Sequence, residues 1–146
     1  MIKQYQAWVV AIDMGYGHQR AAHPLRFLSP DNKVLLANNY EGIPNSDRRV
    51  WKNSQRFYEF FSRANNIAVI GHFLFDLLID HMQRILPFYP KRDLSKPNLQ
   101  TKLNYSGIKK GWGKNLVSHL NTKDIPLITT FFTVAFFAEE HGFKND

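Results

Sequence analysis

The sequence of 146 residues contains no cysteine, so the chain has no disulfide framework and no thiolate metal site. A reducing compartment is compatible with that composition. Residues 1–10 hold a single lysine and lack the long apolar core and small-residue cleavage site of a signal peptide. We therefore expect a cytoplasmic protein.

Uninterrupted hydrophobic segments of membrane-spanning length are also missing. The pattern over Ile67–Leu86 predicts a helix with a long apolar face, but Asp76, Asp80 and Arg84 interrupt it. A segment with two aspartates and an arginine is too polar to cross a bilayer, which takes about 20 mostly apolar residues. We expect this helix to pack on a sheet or to lie along a surface.

Acidic residues are in the minority, since 12 aspartates and glutamates against 19 lysines and arginines give a formal charge of +7. Hydrophobic residues make up 44% of the chain, which is enough to build the core of one globular domain. We expect residues 1–146 to form that single domain.

The sequence does contain a pattern of strand, tight loop and helix over Ala7–Leu25. The continuous apolar run Trp8–Ile12 is typical of a parallel strand that is buried on both faces. Gly15 and Gly17 then allow a sharp turn, because glycine adopts positive φ and lets a ligand approach the backbone closely. His18 follows at the predicted helix start, where free N–H groups favour an anion or a polarised hydroxyl.

Further strands and helices are predicted downstream. Apolar runs indicate a second strand over Val34–Ala37 and a third over Ile125–Thr130, and Phe131–His141 has a buried helical stripe. Helical spacing from Val50 predicts a basic amphipathic helix. Strand–helix–strand crossovers are right-handed and place the strands parallel, with ligand loops at their carboxyl ends. The predicted fold class is therefore α/β with a parallel sheet.

Neither common nucleotide motif explains the glycine loop. The dinucleotide fingerprint requires a third glycine three residues after Gly17, where this chain has Arg20. No Gly-Lys-Ser/Thr follows either, so the loop is not a Walker phosphate loop.

The loop resembles the glycine-rich turn with a histidine that opens the N-terminal domain of GT-B glycosyltransferases acting on lipid acceptors. The nearest groups are the monogalactosyldiacylglycerol synthases and the enzyme that adds N-acetylglucosamine to the peptidoglycan lipid intermediate. The resemblance is specific over residues 7–25 and recurs at the strand and helix of residues 125–142. The matching positions are Gly15, Gly17, His18, Ala21 and Ala22, whereas Tyr16 stands where the family turn usually has glycine.

The resemblance implies a three-layer Rossmann-like parallel sheet that forms an incomplete GT-B N-terminal domain, since only three strands are evident. This part would bind the acceptor while a sugar passes, with inversion, from a nucleotide donor to a membrane-lipid hydroxyl. A second domain of the complete enzyme would bind the nucleotide sugar, so no cofactor and no metal are expected here. The alternative left open is a non-enzymatic binding module for an anionic lipid or another acidic partner.

His18 is the predicted catalytic residue. An imidazole with an ordinary pKa of about 6.5 can take a proton from an acceptor hydroxyl as that oxygen attacks the sugar. The other interpretation is a structural polar residue at a helix N-terminus. Asp13, at the end of the first strand, either orients His18 or accepts loop amide hydrogens, and we favour the second role.

The remaining site candidates are predicted contacts to the substrate. They are Gly15, Tyr16 and Gly17 in the turn, Asn38 after the second strand, and Thr129 and Thr130 at the end of the third. The two threonines are candidates by the resemblance, because a loop bearing acceptor contacts follows this strand in the GT-B families. Asn38 is equally suited to capping its loop, and that alternative stays open, whereas capping is the role we favour for the two threonines.

Cations dominate the segment from Arg84 to Lys123, which we interpret as a basic connector. Nine lysines and arginines face one acid there, Asp93, with Phe88, Tyr89 and other aromatics interleaved. Such a segment suits an anionic membrane surface, and an ordinary solvated basic face is the competing interpretation. Nucleic acid is not expected, because no recognisable binding module is present. The last strand would leave a sheet edge open, which favours self-association.

Overall fold

The computed structural model describes residues 5–64, 97 and 99–145. Over these residues the fold is mixed α/β, with five α-helices and a three-stranded parallel sheet, which confirms the predicted α/β class. The elements are β1 Trp8–Ala11, α1 Tyr16–Ala22, a 3-10 helix His23–Leu28, β2 Leu35–Leu36, α2 Asn45–Ala64, α3 Leu99–Lys109, α4 Lys114–Leu120, β3 Leu127–Thr129 and α5 Phe132–His141.

Strand β1 is the centre of the sheet, whose order is β2-β1-β3. Val10 pairs with Leu35 of β2 and with Thr129 of β3, so both neighbours run parallel to β1. All four β1 residues are buried, which confirms the prediction of a strand covered on both faces. Strand β3 lies at one end of the described sheet, and self-association through its edge stays a prediction.

Alternate residues of β1 contribute to two apolar clusters, because successive side chains of a strand point to opposite faces. Trp8 and Val10 belong to the larger cluster, which α2, α4 and α5 complete. Its main buried residues are Ile12, Trp51, Trp112, Leu116, Val117, Leu120, Val134 and Phe137. Val9 and Ala11 belong to the smaller cluster, where Ala22 of α1 covers the other face.

The chain groups into two compact units, Met1–Trp51 with Ile108–Asp146, and Lys52–Gly107. The sheet, α1, α4, α5 and both apolar clusters lie in the first unit. That residues 1–146 form one domain stays a prediction.

Much of the segment that we interpreted as a basic connector is helical in the structure. The prediction was wrong over Leu99–Lys109 and Lys114–Leu120, which form α3 and α4. Lysine is a good helix former, and Leu116, Val117 and Leu120 are spaced to bury one face of α4. Helix α2 also begins earlier than predicted, at Asn45.

Some predictions fall on residues that the structure does not describe. They are the helix over Ile67–Leu86 and residues 84–96 of the basic segment. Within the described ranges, no helix is both long enough and apolar enough to span a bilayer.

Candidate functional site

The predicted site residues come from three loops at the carboxyl ends of the parallel strands. The loop after β1 carries Gly15 and leads into α1, Asn38 follows β2, and Thr130 follows β3. The carboxyl ends of parallel strands meet at one edge of a sheet, which is where open α/β sheets bind ligands. Direct hydrogen bonds join the loops after β1 and β2, and join the loop after β3 to α1.

The two glycines of the turn differ in conformation. Gly15 caps the N-terminus of α1 with φ 107° and ψ 155°, a backbone region that side chains with a Cβ rarely adopt. Gly17 lies inside α1 and does not have a positive φ. The sequence prediction of positive φ is thus right for Gly15 and wrong for Gly17, because α1 begins at Tyr16. Tyr16 is 80% exposed.

His18 is held by the loop that follows β3. Its Nδ1 lies 2.7 Å from the main-chain oxygen of Thr130, and its ring meets Phe131 edge-on at 5.1 Å. A carbonyl oxygen only accepts hydrogen bonds, so Nδ1 must carry the proton and donate. The neutral ring then keeps its lone pair on Nε2. The geometry therefore selects the tautomer in which Nε2 is basic.

A second hydrogen bond runs in the opposite direction between the same two residues. The hydroxyl of Thr130 donates to the main-chain oxygen of His18 at 3.0 Å. The Thr130 N–H donates to the oxygen of Val10 at 3.2 Å, which extends the β1–β3 pairing. Through these two hydrogen bonds, Thr130 connects α1 and β1 at the edge of the sheet.

Asp13 does not orient His18 in the structure. Its Oδ1 accepts a hydrogen bond from the side-chain amide of Gln19 at 2.6 Å. The favoured prediction, that Asp13 accepts hydrogens from loop amides, was wrong about the donor, which is the side chain of Gln19 in α1. The group that orients His18 is the carbonyl of Thr130, which the sequence analysis did not consider in that role.

Asn38 lies beside the glycine loop, as expected, and its amide is occupied by the backbone of Asp13. The Asn38 Oδ1 accepts from the Asp13 N–H at 2.9 Å, and the Asn38 Nδ2 donates to the Asp13 oxygen at 3.1 Å. The side chain therefore continues the β1–β2 pairing by one step. These contacts match the capping alternative, and a substrate contact by Asn38 stays a prediction.

Thr129 makes a local turn with Phe131. Its hydroxyl accepts from the Phe131 N–H and donates to the Phe131 oxygen, both at 3.2 Å. Such a turn is a common use of threonine at a loop start. Both hydroxyls bond main-chain atoms, which matches the capping interpretation. A substrate contact by Thr129 or Thr130 stays a prediction.

Two side chains with polar groups, Tyr40 and Asp47, are buried near the start of α2. Asp47 is buried, and its Oδ2 accepts from the Gly113 N–H at 3.1 Å. The phenol of Tyr40 donates to the side-chain oxygen of Asn115 at 2.7 Å. Burial, together with the charge of Asp47, raises the pKa of Tyr40 to about 12. Tyr40 therefore stays protonated and acts as a structural donor.

No protein-family model, curated protein or solved structure matches this chain. The glycosyltransferase resemblance therefore rests on residues 7–25 and 125–142 alone. Within the described part of the chain, no three histidine or acidic side chains are grouped as metal ligands.

Proposed function

We propose that this chain is the acceptor-binding part of a glycosyltransferase and that His18 is its general base. The proposal depends on one observation, the 2.7 Å contact between His18 Nδ1 and the Thr130 oxygen. This contact fixes the ring and leaves Nε2 as the proton acceptor.

The proposed reaction is a single displacement with inversion. The oxygen of a membrane-lipid hydroxyl forms a bond to the anomeric carbon as the bond from that carbon to the nucleoside diphosphate breaks. The diphosphate leaves with the electron pair, and the hydroxyl proton passes to Nε2 of His18. A positioned base of this kind contributes roughly 10² to 10⁴ in rate.

The fold is compatible with this function, because the loops after β1, β2 and β3 lie where α/β sheets bind ligands. We further propose that the sheet is the Rossmann-like sheet of a GT-B N-terminal domain. By the resemblance, a second domain binds the nucleotide sugar, and the reaction takes place between the two. The proposed partners are a lipid acceptor and an anionic membrane surface.

Substitution of His18 in the complete enzyme tests the role. His18→Gln keeps polar atoms at this position but removes the base, so turnover should fall by roughly 10² to 10⁴. His23→Gln is the matched control, because His23 is an exposed histidine at the C-terminal end of the same helix. Turnover close to wild type in the His18 variant would rule out general base catalysis there.

The tautomer can be measured without any assay of activity. Nitrogen-15 spectra of the neutral imidazole in the 146-residue chain should show His18 protonated on Nδ1 and bare on Nε2. Protonation on Nε2 would remove the observation that supports the proposal.

A further inference from the structure

Helix α2 has a charged face that the proposed function does not use. The exposed cations between residues 45 and 56 are Arg48, Arg49, Lys52 and Arg56. Their spacing places all four side chains within about 100° of the helix circumference, so they share one face. Arg48 and Arg56 are about 12 Å apart along the helix axis. We call the four residues the basic stripe.

The other side of α2 is buried, so the basic stripe points away from it. Trp51 and Asp47 are both buried, and the Asp47 carboxylate accepts a hydrogen bond from the Gly113 N–H at 3.1 Å. Over residues 48–56 the helix carries four positive charges and no negative one. No acid on this stretch of the helix neutralises the stripe, and its positive field is available to a partner.

The exposed residues around the basic stripe indicate which kind of partner fits. They are Asn45, Ser46, Val50, Asn53 and Gln55. Val50 is the one apolar residue among them, and it is only 39% exposed. A helix that lies in a membrane surface inserts Trp, Phe or Leu, and the cores of protein interfaces are rich in aromatic residues. Arginine, lysine, asparagine and serine are instead the side chains that contact DNA phosphates.

Duplex DNA also matches the basic stripe in shape. Its major groove is about 12 Å wide and admits an α-helix. A helix in the groove has phosphates on both sides, which suits cations that are spread over about 100° of its circumference. Three of the four cations are arginines, whose planar guanidinium groups bind phosphate oxygens in pairs.

We propose that α2 binds duplex DNA through the basic stripe, by contacts to the phosphate backbone that do not depend on base sequence. The inference is independent of the proposed function. It departs from the expectation of no nucleic-acid partner, which was drawn from the lack of a recognisable binding module. Backbone binding is electrostatic, so an exposed basic helix needs no such module.

The salt dependence of binding to a short duplex of mixed sequence tests the proposal. Each phosphate contact adds about −0.9 to the slope of log K against log salt concentration, so the stripe predicts a slope of about −3.6. The combined variant Arg48→Gln, Lys52→Gln and Arg56→Gln should leave a slope of about −0.9. Fluorescence anisotropy of a labelled duplex measures the affinity, and circular dichroism checks that the variant is folded.

The matched control removes three exposed cations that lie outside α2. They are Arg20, Arg26 and Lys33, and their triple glutamine variant should keep a slope of about −3.6. The two variants have the same net charge. Equal slopes in both would show that net charge accounts for the binding, which would overturn the assignment to α2. Binding by the wild-type chain that is independent of salt would also overturn it.

Two other polyanions distinguish DNA from the competing partners. The stripe variant should bind anionic vesicles, and also polyglutamate, as tightly as the control variant does. If it loses vesicle or polyglutamate binding while its duplex binding is unchanged, the stripe belongs to a lipid or an acidic protein and the DNA proposal is wrong. His18→Gln should bind the duplex like the wild-type chain, so the catalytic proposal can fail without affecting this one.

Discussion

His18 and Thr130 are 112 residues apart in the sequence and exchange two hydrogen bonds across the edge of the sheet. One bond fixes the imidazole ring, and the other fixes the backbone that carries it. The pairing of Val10 with Thr129 sets the position of Thr130. The orientation of the candidate base therefore depends on the register of a strand pair, and a shift of β3 by one residue would remove the carbonyl that holds the ring.

Substitution of Thr130 distinguishes its two hydrogen bonds with His18, because only one of them uses the hydroxyl. Thr130→Val removes the bond to the His18 oxygen and should lower the free energy of unfolding by about 1 kcal/mol in urea titrations. The main-chain carbonyl remains, so nitrogen-15 spectra should still show His18 protonated on Nδ1. Thr130→Ser restores the hydroxyl and should recover most of the stability. A change of tautomer in the valine variant would show that the carbonyl alone does not hold the ring.

Alanine substitutions at Gly113 and Gly17 should change the stability of the fold in opposite directions. A Cβ at Gly113 would lie 2.3 Å from Cγ of Phe137, and Gly113 has φ +86°. Strain of roughly 1–3 kcal/mol and overpacking of roughly 1–3 kcal/mol should both destabilise Gly113→Ala. A Cβ at Gly17 would meet nothing within 4 Å, and alanine inside α1 should stabilise the fold by about 0.5–1 kcal/mol. Thermal unfolding of the two variants provides the comparison, and equal melting temperatures would contradict it.

The sequence predicts best where one local pattern decides the structure. Strand β1 is an uninterrupted apolar run because both of its faces are covered, and the Gly15 turn follows from the end of that run. Helices α3 and α4 were missed because their lysines suggested a solvated connector, although Leu116, Val117 and Leu120 have helical spacing.

The contact between His18 and Thr130 could not be predicted in the same way. It depends on β3 lying directly beside β1, and strand order is set by how the helices pack against the sheet. From the sequence, His18 is expected at the helix start after the first strand, and Thr130 at the end of the third strand as a loop cap or a substrate contact. The observed order β2-β1-β3 places the loops after β1 and β3 side by side, and this order is not evident from the sequence.

The raised pKa of Tyr40 should lower the free energy of unfolding at high pH. Its pKa is raised from 10.0 to about 12 in the folded protein, by burial first and by Asp47 second. The folded state thus holds this proton more tightly than the unfolded state, and the stabilisation is fully present below pH 10 and lost between pH 10 and about 12. Absorbance titration of the phenols should show a late component that Tyr40→Phe removes. A wild-type titration without a late component would contradict the raised pKa.

Three lysines at the turn between α3 and α4 should contribute to attachment to anionic membranes. Lys109, Lys110 and Lys114 are exposed and lie within six residues of each other. Each cation near such a surface adds about 1 kcal/mol before screening, so replacing all three with glutamine should weaken binding to anionic vesicles roughly a hundredfold at low salt. Sedimentation with vesicles measures the effect, which should shrink at physiological salt, where the screening length is about 8 Å.

The control for this variant changes the same charge elsewhere in the same unit. Arg20, Arg26 and Lys33 are also exposed, and their triple glutamine variant should bind anionic vesicles more tightly than the lysine variant. If both variants lose affinity equally, net charge accounts for the attachment and not the turn between α3 and α4. Equal binding of the wild-type chain to neutral and anionic vesicles would exclude an electrostatic contact, because the attraction of lysine to lipid requires the anionic headgroups.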